Sequence, residues 1–301
     1  MNFLKRYPIP IAGLILGLFA LGNLLQSYSA EVRLTLGIIA LILYIPYLLK
    51  IIILNFKLKE ALDNPVAASV FPTFTMATML LAGYVKPYCS ECASVIWYVG
   101  VIGHVLLIIW FTMNFILKNF AIKKVFPSWF IVYVGIAVAS VSAPVTGQLI
   151  IGQYAFWFGL VTYFCLLYFV CKRVFLVGEI SAPAMPTTVI FAAPASLLLA
   201  GYMVSFPEKE AWIVYLLFAC SLIFWLLGIF YFAKTFRGAF LPSHSAFTFP
   251  LVITGLATKL SSNFTGFAWQ GILCNVQTVI AAVVVLWVLV RYVKFIFTSA
   301  K

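Results

Sequence analysis

The sequence predicts an all-α integral membrane protein: ten transmembrane helices arranged as five helical hairpins in a quasi-fivefold ring around a central pore. The composition is 65% hydrophobic and only 9% charged, with a mean hydropathy of +1.13. Soluble domains carry about a quarter charged residues, so this chain belongs in a bilayer. Two further observations, a recurring proline and an asymmetric distribution of basic residues, predict the arrangement. We expect one transmembrane domain over residues 1–301.

Apolar stretches of the length needed to cross a membrane, roughly 20 residues, occur ten times. The predicted spans are residues 8–27, 34–54, 67–84, 94–117, 127–144, 149–171, 185–204, 211–233, 246–260 and 269–290. Odd-numbered spans are rich in Pro and small residues, whereas even-numbered spans are bulky. Because small residues let helices approach closely and bulky faces suit lipid, we expect odd spans inside and even spans outside.

A proline near the start of each odd span defines the repeat. The prolines are spaced 64, 55, 59 and 64 residues apart, about one helical hairpin, and they are Pro8, Pro72, Pro127, Pro186 and Pro250. Proline removes a backbone donor and bends helices. The residues expected to kink the inner helices are Pro72, Pro127, Pro186 and Pro194.

Basic residues predict the orientation. Fifteen lie at the amino terminus or after even spans, and four lie on the other side. The fifteen are Lys5, Arg6, Lys50, Lys57, Lys59, Lys118, Lys123, Lys124, Lys172, Arg173, Lys234, Arg237, Arg291, Lys294 and Lys301, and the four are Arg33, Lys86, Lys209 and Lys259. The positive-inside rule then places both termini in the cytoplasm. We expect a multi-pass protein of the inner (plasma) membrane. The first apolar run is expected to be a span rather than a cleaved signal peptide. The bases flank spans, so we expect a lipid partner and no nucleic acid.

Titratable groups are scarce within the predicted spans. Every Asp, Glu, Lys and Arg lies in a loop or within about a turn of a span end, and His104 is the one titratable residue well inside. A single His there is typical of hydrogen-bonded packing, with a proton relay as the alternative. Cys89 and Cys92 are either a loop disulfide or two idle thiols. We expect no metal, no cofactor and no enzymatic constellation.

Hydroxyl and aromatic residues of the odd spans are the remaining candidates for a pore lining. Hydroxyls in membrane helices can also bond back to their own helix or to a neighbour. The predicted pore-lining residues are Thr73, Phe74, Ser128, Phe130, Thr187, Phe191, Thr248 and Pro250.

The chain resembles the TehA and slow-anion-channel family, also called the tellurite-resistance and dicarboxylate transporter family. The resemblance rests on the span number, the hairpin repeat, the prolines and the segment Phe247-Thr-Phe-Pro-Leu251, which is similar to the family's aromatic-Ser/Thr-Phe-Pro-Leu. Relatives often carry tryptophans just before it, where this chain has Ser245 and Ala246. The resemblance implies a homotrimer, passive passage of anions through each subunit, and a phenylalanine that closes the pore.

Two phenylalanines compete for the role of gate. Phe247 and Phe249 are two residues apart, so on a helix their side chains point about 200° apart and only one can face the axis. Phe249 is the expected gate because it matches the family position just before proline.

The expected function is channel-like passage of small inorganic anions or dicarboxylates, tellurite included, and the sequence does not select among them. The alternative is a coupled secondary transporter (exporter) of four-carbon dicarboxylates or related oxyanions. Such carriers typically show inverted repeats, helices broken at the midplane and an ionisable coupling group. Here the repeats share one orientation and no such group is apparent.

Overall fold

The computed structural model describes residues 2–54, 59–118 and 120–298, and these residues form helices and connecting turns with no β-strand. The α-helices are α1 Asn2–Arg6, α2 Ile11–Leu25, α3 Ala30–Ile53, α4 Pro65–Val70, α5 Thr73–Val85, α6 Ser90–Phe111, α7 Trp129–Tyr133, α8 Val138–Thr146, α9 Leu149–Cys171, α10 Ala193–Ser205, α11 Ala211–Thr235, α12 Thr248–Thr265 and α13 Gln270–Thr298. Shorter 3-10 segments are Ile122–Lys124, Gly135–Ala137, Met185–Ala192 and Pro242–Phe247, and π-helical turns are Thr112–Leu117 and Lys172–Val177.

Seven helical stretches in the described part of the chain are long and apolar enough to cross a membrane. They are Ala30–Ile53, Pro65–Val85, Ser90–Leu117, Leu149–Val177, Met185–Ser205, Ala211–Thr235 and Gln270–Thr298. There are also two shorter apolar helices: Ile11–Leu25 precedes the first of these stretches, and Gly135–Thr146 lies between the third and the fourth. The prediction of an all-α, multi-pass membrane protein is therefore confirmed.

Helix packing divides the long elements into two sets. We call α2, α5, α8, α10 and α12 the inner helices, and α3, α6, α9, α11 and α13 the outer helices. Each inner helix packs against the outer helix that follows it in the chain. The inner helices also pack against one another in chain order, α2 on α5, α5 on α8, α8 on α10 and α10 on α12, and α12 packs back on α2.

Burial separates the same two sets. In the most apolar 18-residue stretch of Met185–Ser205, 89% of the residues are buried, against 22% in Leu149–Val177. In α2, every residue except Asn23 and Leu25 is buried. Small residues explain how the inner helices come this close. A side chain at Gly17 would place its Cβ 2.6 Å from Thr248 Cβ, so the contact between α2 and α12 depends on this glycine.

The four prolines expected to kink inner helices lie at or just before the starts of helical segments. Pro72 directly precedes α5, Pro127 lies in the turn before α7, Pro186 is in the 3-10 segment Met185–Ala192, and Pro194 is the second residue of α10. Proline lacks the N–H that the first helical turn leaves unpaired anyway, so helix starts tolerate it. Pro250 likewise lies in the first turn of α12, whereas Pro46 and Pro144 lie further inside α3 and α8.

The last two helices run further than predicted. The predicted ends, 260 and 290, mark the end of apolar sequence, whereas α12 continues to Thr265 and α13 to Thr298. Lys259 therefore lies inside a helix rather than near its end. Its Nζ donates to the Leu24 carbonyl at 3.1 Å and to Ser27 Oγ, which satisfies the charge at the rim of the bundle.

The two cysteines left open by the sequence are paired. Cys89 and Cys92 form a disulfide at the amino-terminal end of α6.

Candidate pore

A cavity of about 360 Å³ opens between the amino-terminal ends of the inner helices. Each of the five inner helices, or the 3-10 segment directly before it, contributes to the wall, through Gly13, Thr73, Gly135, Ala193 and Phe249. This arrangement follows from the packing of the inner helices on one another, because side chains at the same level of each repeat meet at the same place.

The wall is largely apolar, and among the described residues it contains no Asp, Glu, Lys, Arg or His. Its polar members are Asn64, Thr73, Ser181, Thr187, Ser243 and Ser245. Two of the hydroxyls are committed to backbone carbonyls three residues earlier, since Thr73 Oγ1 donates to the Val70 carbonyl and Thr187 Oγ1 donates to the Ala184 carbonyl. The cavity therefore presents mostly methyl groups and rings, with few free donors.

The electrostatic environment of the cavity is positive. Among the described residues, segments at the cavity end carry thirteen basic and three acidic residues, whereas the opposite end carries four of each. Lys123–Glu179, at 3.5 Å, is the one salt bridge in the part of the chain that the structure describes. The helices α2, α5, α10 and α12 also begin at the cavity, where their dipoles are positive.

Four of the eight predicted pore-lining residues lie on the cavity wall: Thr73, Phe130, Thr187 and Pro250. The others lie elsewhere, each with partners of its own. The Phe74 ring packs on Phe71 at 4.8 Å, and Ser128 Oγ lies 2.6 Å from Ser69 Oγ.

Phe191 and Thr248 also lie off the wall. The Phe191 ring stacks on Phe224 of α11 at 5.8 Å. Thr248 Oγ1 lies 2.8 Å from the Gly13 carbonyl and thus ties α12 to α2. Hydroxyl and aromatic residues of an inner segment thus serve inter-helix packing as often as lining, and a one-residue shift around the helix decides which.

The two candidate gate residues occupy different environments. Phe249 lines the cavity, and no aromatic ring pairs with it within the described residues. Phe247 is fully buried away from the wall and meets Phe232 at 5.1 Å, His244 at 5.0 Å and Trp287 at 6.4 Å. The geometry therefore leaves Phe249 the freer ring.

Sequence reasoning missed several wall residues outside the predicted spans. Asn64 caps α4, accepting from the backbone N–H groups of Val66 and Ala67, and Pro65 is the first residue of that helix. The Asn-Pro pair is a helix-start signal that could have located this residue. Ser181 lies in a loop and Ser243 in the 3-10 segment Pro242–Phe247, and no local pattern indicates that their side chains face a cavity.

A family model described as voltage-dependent anion channel (SLAC1) matches residues 6–293. The chain belongs to this family. The match spans all five repeats, so the cavity lies within the part of the chain that defines this channel family. Among curated proteins, no sequence matches the chain closely enough to count as a relative.

Proposed function

We propose that the protein is an anion channel in which ten membrane-crossing segments, drawn from residues 1–301 as one transmembrane domain, form five hairpins closed into a ring. Small anions, dicarboxylates and oxyanions such as tellurite pass through the cavity at its centre. Membership in an anion channel family supports transport of anions. The closed set of contacts, from α2 through α12 and back to α2, supports the ring.

The observation that carries this proposal is the cavity itself: all five repeats line it, and its described wall has no carboxylate. A carboxylate in the wall would repel anions, whereas the surplus of basic residues at this end concentrates them over about a Debye length. The positive ends of α2, α5, α10 and α12 add to this attraction. The same positive potential repels cations.

Phe249 is the proposed gate. Side chains one to two turns deeper on the inner helices, including Ala20, Leu80, Ala200 and Ile253, are buried, so the cavity does not continue as accessible surface. A phenyl ring at the cavity wall closes a narrow apolar passage by sterics and by excluding water. It opens by a rotamer change that also gives up the burial of the ring, which costs about 1.5–3 kcal/mol.

The excess of basic residues at the cavity end supports a cytoplasmic location for both termini in the inner (plasma) membrane. The resemblance to the TehA and slow-anion-channel family also leads us to propose a homotrimer with one pore in each subunit, and no enzymatic activity. Mass measurement of the purified protein in detergent tests the trimer directly.

Anion efflux from liposomes tests the function. Purified protein should release nitrate or chloride down its gradient with no proton or sodium gradient imposed, and at a rate that follows the imposed voltage. Obligatory coupling to either cation would instead favour the secondary transporter. Absence of anion flux, by a protein shown to be folded, would refute both.

A pair of neighbouring alanines tests the pathway. Ala193 lines the cavity, whereas Ala192 is fully buried and packs near Gly228 of α11. In a background without free cysteines, a thiol reagent carrying a charge should block current through Ala193→Cys and leave Ala192→Cys unaffected. Block at neither position, with both proteins conducting and Ala193→Cys shown to be modified, would place the pathway outside this cavity.

A further inference from the structure

The five inner helices all end at the face of the bundle opposite the cavity, which we call the far end. The helix α2 ends at Leu25, α5 at Val85, α8 at Thr146, α10 at Ser205 and α12 at Thr265. A helix leaves its last carbonyl groups unpaired and carries roughly half an elementary negative charge at this end. Five such ends around one passage repel an anion, so an anion that crosses the far end needs positive charge there.

Basic side chains contact the ends of these helices. Lys259 Nζ donates to the Leu24 carbonyl of α2 at 3.1 Å, and Lys209 Nζ donates at 2.7 Å to the carbonyl of Phe206, the residue directly after α10. A cation at the carboxyl end of a helix offsets the negative partial charge of that end.

The acidic residues of the far end lie with the other set of helices. The outer helices begin at this end, and a helix start favours carboxylates. The four acids are in the first turns of α3 and α6 or in the segment just before α11, and they are Glu31, Glu91, Glu208 and Glu210. Within the described residues, none of them forms a salt bridge with a base of this end. Bases and acids are equal in number here, but the acids accompany the outer helices.

Arg33 reaches from an outer helix across the ends of the inner ones. It belongs to α3, yet its Nε donates to Asn23 Oδ1 of α2 at 3.1 Å and its Nη2 donates to the Gly83 carbonyl of α5 at 2.8 Å. A Cβ placed on Gly83 would lie 3.7 Å from that Nη2 and 3.5 Å from Cγ2 of Val145 in α8. The guanidinium therefore lies where the ends of three inner helices meet.

The guanidinium of Arg33 keeps donors free for a ligand. Of the five N–H groups of an arginine, two make the hydrogen bonds to Asn23 and Gly83, and the other three find no acceptor in the described part of the chain. The ring of Tyr84 lies 4.2 Å from Cζ and orients the plane of the guanidinium. Because Arg33 is half-buried, solvent and salt screen its charge less than they screen a fully exposed side chain.

We propose that Arg33 and Lys259 form a second anion-binding site, at the far end of the pore, where a small inorganic anion accepts hydrogen bonds from the free N–H groups of Arg33 as it enters or leaves. The site rests on the proposed function, which supplies the anion. The two side chains are close neighbours, since Arg33 contacts Asn23 and Lys259 contacts Leu24, the next residue of α2. Opposite unit charges about 4 Å apart change an affinity by about fivefold even in bulk water, and by more at a half-buried site.

The test uses full-length protein carrying Phe249→Ala, so that gating does not limit the current, with chloride as the probe. Membrane patches from expressing cells hold every molecule in the same orientation, and the far end is the side from which an impermeant thiol reagent labels Lys86→Cys. Chloride is varied on one side at a time, and the concentration that gives half-maximal current is measured for each side. We expect Arg33→Gln to raise this concentration at least about fivefold on the far side and to leave the cavity side unchanged. Arg33→Lys, which keeps the charge, should retain most of the affinity.

Lys86 supplies the matched control at the same end. It carries the same charge, but it is exposed, and its Nζ donates to Ser90 Oγ of the outer helix α6 at 2.8 Å. Salt screens such a charge, so Lys86→Gln should change the half-maximal concentration by less than about twofold on either side.

The outcomes separate the two proposals. Half-maximal concentrations in Arg33→Gln that equal those of the parent, or that rise equally on both sides, overturn the far site and leave the channel intact. If Arg33→Gln fails to fold, an unchanged value on the far side in Lys259→Gln overturns it equally. Absence of chloride current in the Phe249→Ala parent refutes the proposed function itself.

Discussion

Replacing Phe249 by alanine should open the pore, and the structure sets the size of the effect. The ring is 6% exposed, and burying a phenylalanine side chain contributes about 1.5–3 kcal/mol. If that burial holds the closed state, its loss shifts the open-to-closed ratio by roughly 10- to 100-fold, since 1.4 kcal/mol is about a factor of ten. Anion conductance should rise accordingly in planar bilayers, with Phe249→Leu between parent and alanine.

Phe247→Ala is the matched control two residues away. Phe247 is fully buried among three aromatic neighbours, so its loss should cost about 3–5 kcal/mol of stability and raise conductance little. Phe249→Ala should cost less stability, because a cavity already lies on one side of its ring. Thermal unfolding in detergent measures both. A large conductance from Phe247→Ala with none from Phe249→Ala would refute the assignment of the gate.

Three further predictions follow from the orientation, the charge and the packing. In a background without other cysteines, an impermeant thiol reagent added outside intact cells should label Lys86→Cys but neither Lys59→Cys nor Lys123→Cys. The opposite labelling pattern would show that the orientation is the reverse of the one proposed. Changing Lys124, Lys172 and Arg237 together to glutamine should lower the anion current at low salt, and this effect should disappear near about 1 M salt. The selectivity for anions over cations should stay unchanged. A change in selectivity would show that these basic residues, rather than the cavity wall, select the ion. Gly17→Ala should lower stability by about 1–3 kcal/mol, because its Cβ would lie 2.6 Å from Thr248, which a hydrogen bond to the Gly13 carbonyl holds in place. Gly271→Ala, which has open space around it, should not lower stability. Equal unfolding temperatures for the two variants would argue against the close approach of α2 and α12.

Helix identity and the division into inner and outer sets could be predicted because both depend on composition. Small residues occupy the helices that the structure buries, and bulky residues the exposed ones, since close packing and lipid contact demand different side-chain sizes. The ends of the helices were harder to predict from sequence. The predicted limit of span nine followed hydropathy, whereas α12 continues through polar residues to Thr265 because its hydroxyls bond back to the helix, as Ser261 Oγ does to the Ala257 carbonyl at 2.8 Å.

Pore lining was predictable only in part, because it depends on rotation about each helix axis. Thr73 and Phe74 are adjacent, yet one lines the cavity and the other packs on Phe71. The hydrogen bonds of His104 could not be seen from sequence either, since Thr75 and Val132 meet the ring only after α5, α6 and α7 pack together.

The reversal potential of current through Phe249→Ala tests the central claim, that anions pass through the cavity, most directly. With potassium chloride at different concentrations on the two sides of a planar bilayer, the reversal potential should lie close to the chloride equilibrium potential, because the described cavity wall has no carboxylate and basic residues surround its end. A reversal potential close to the potassium equilibrium potential would contradict the account.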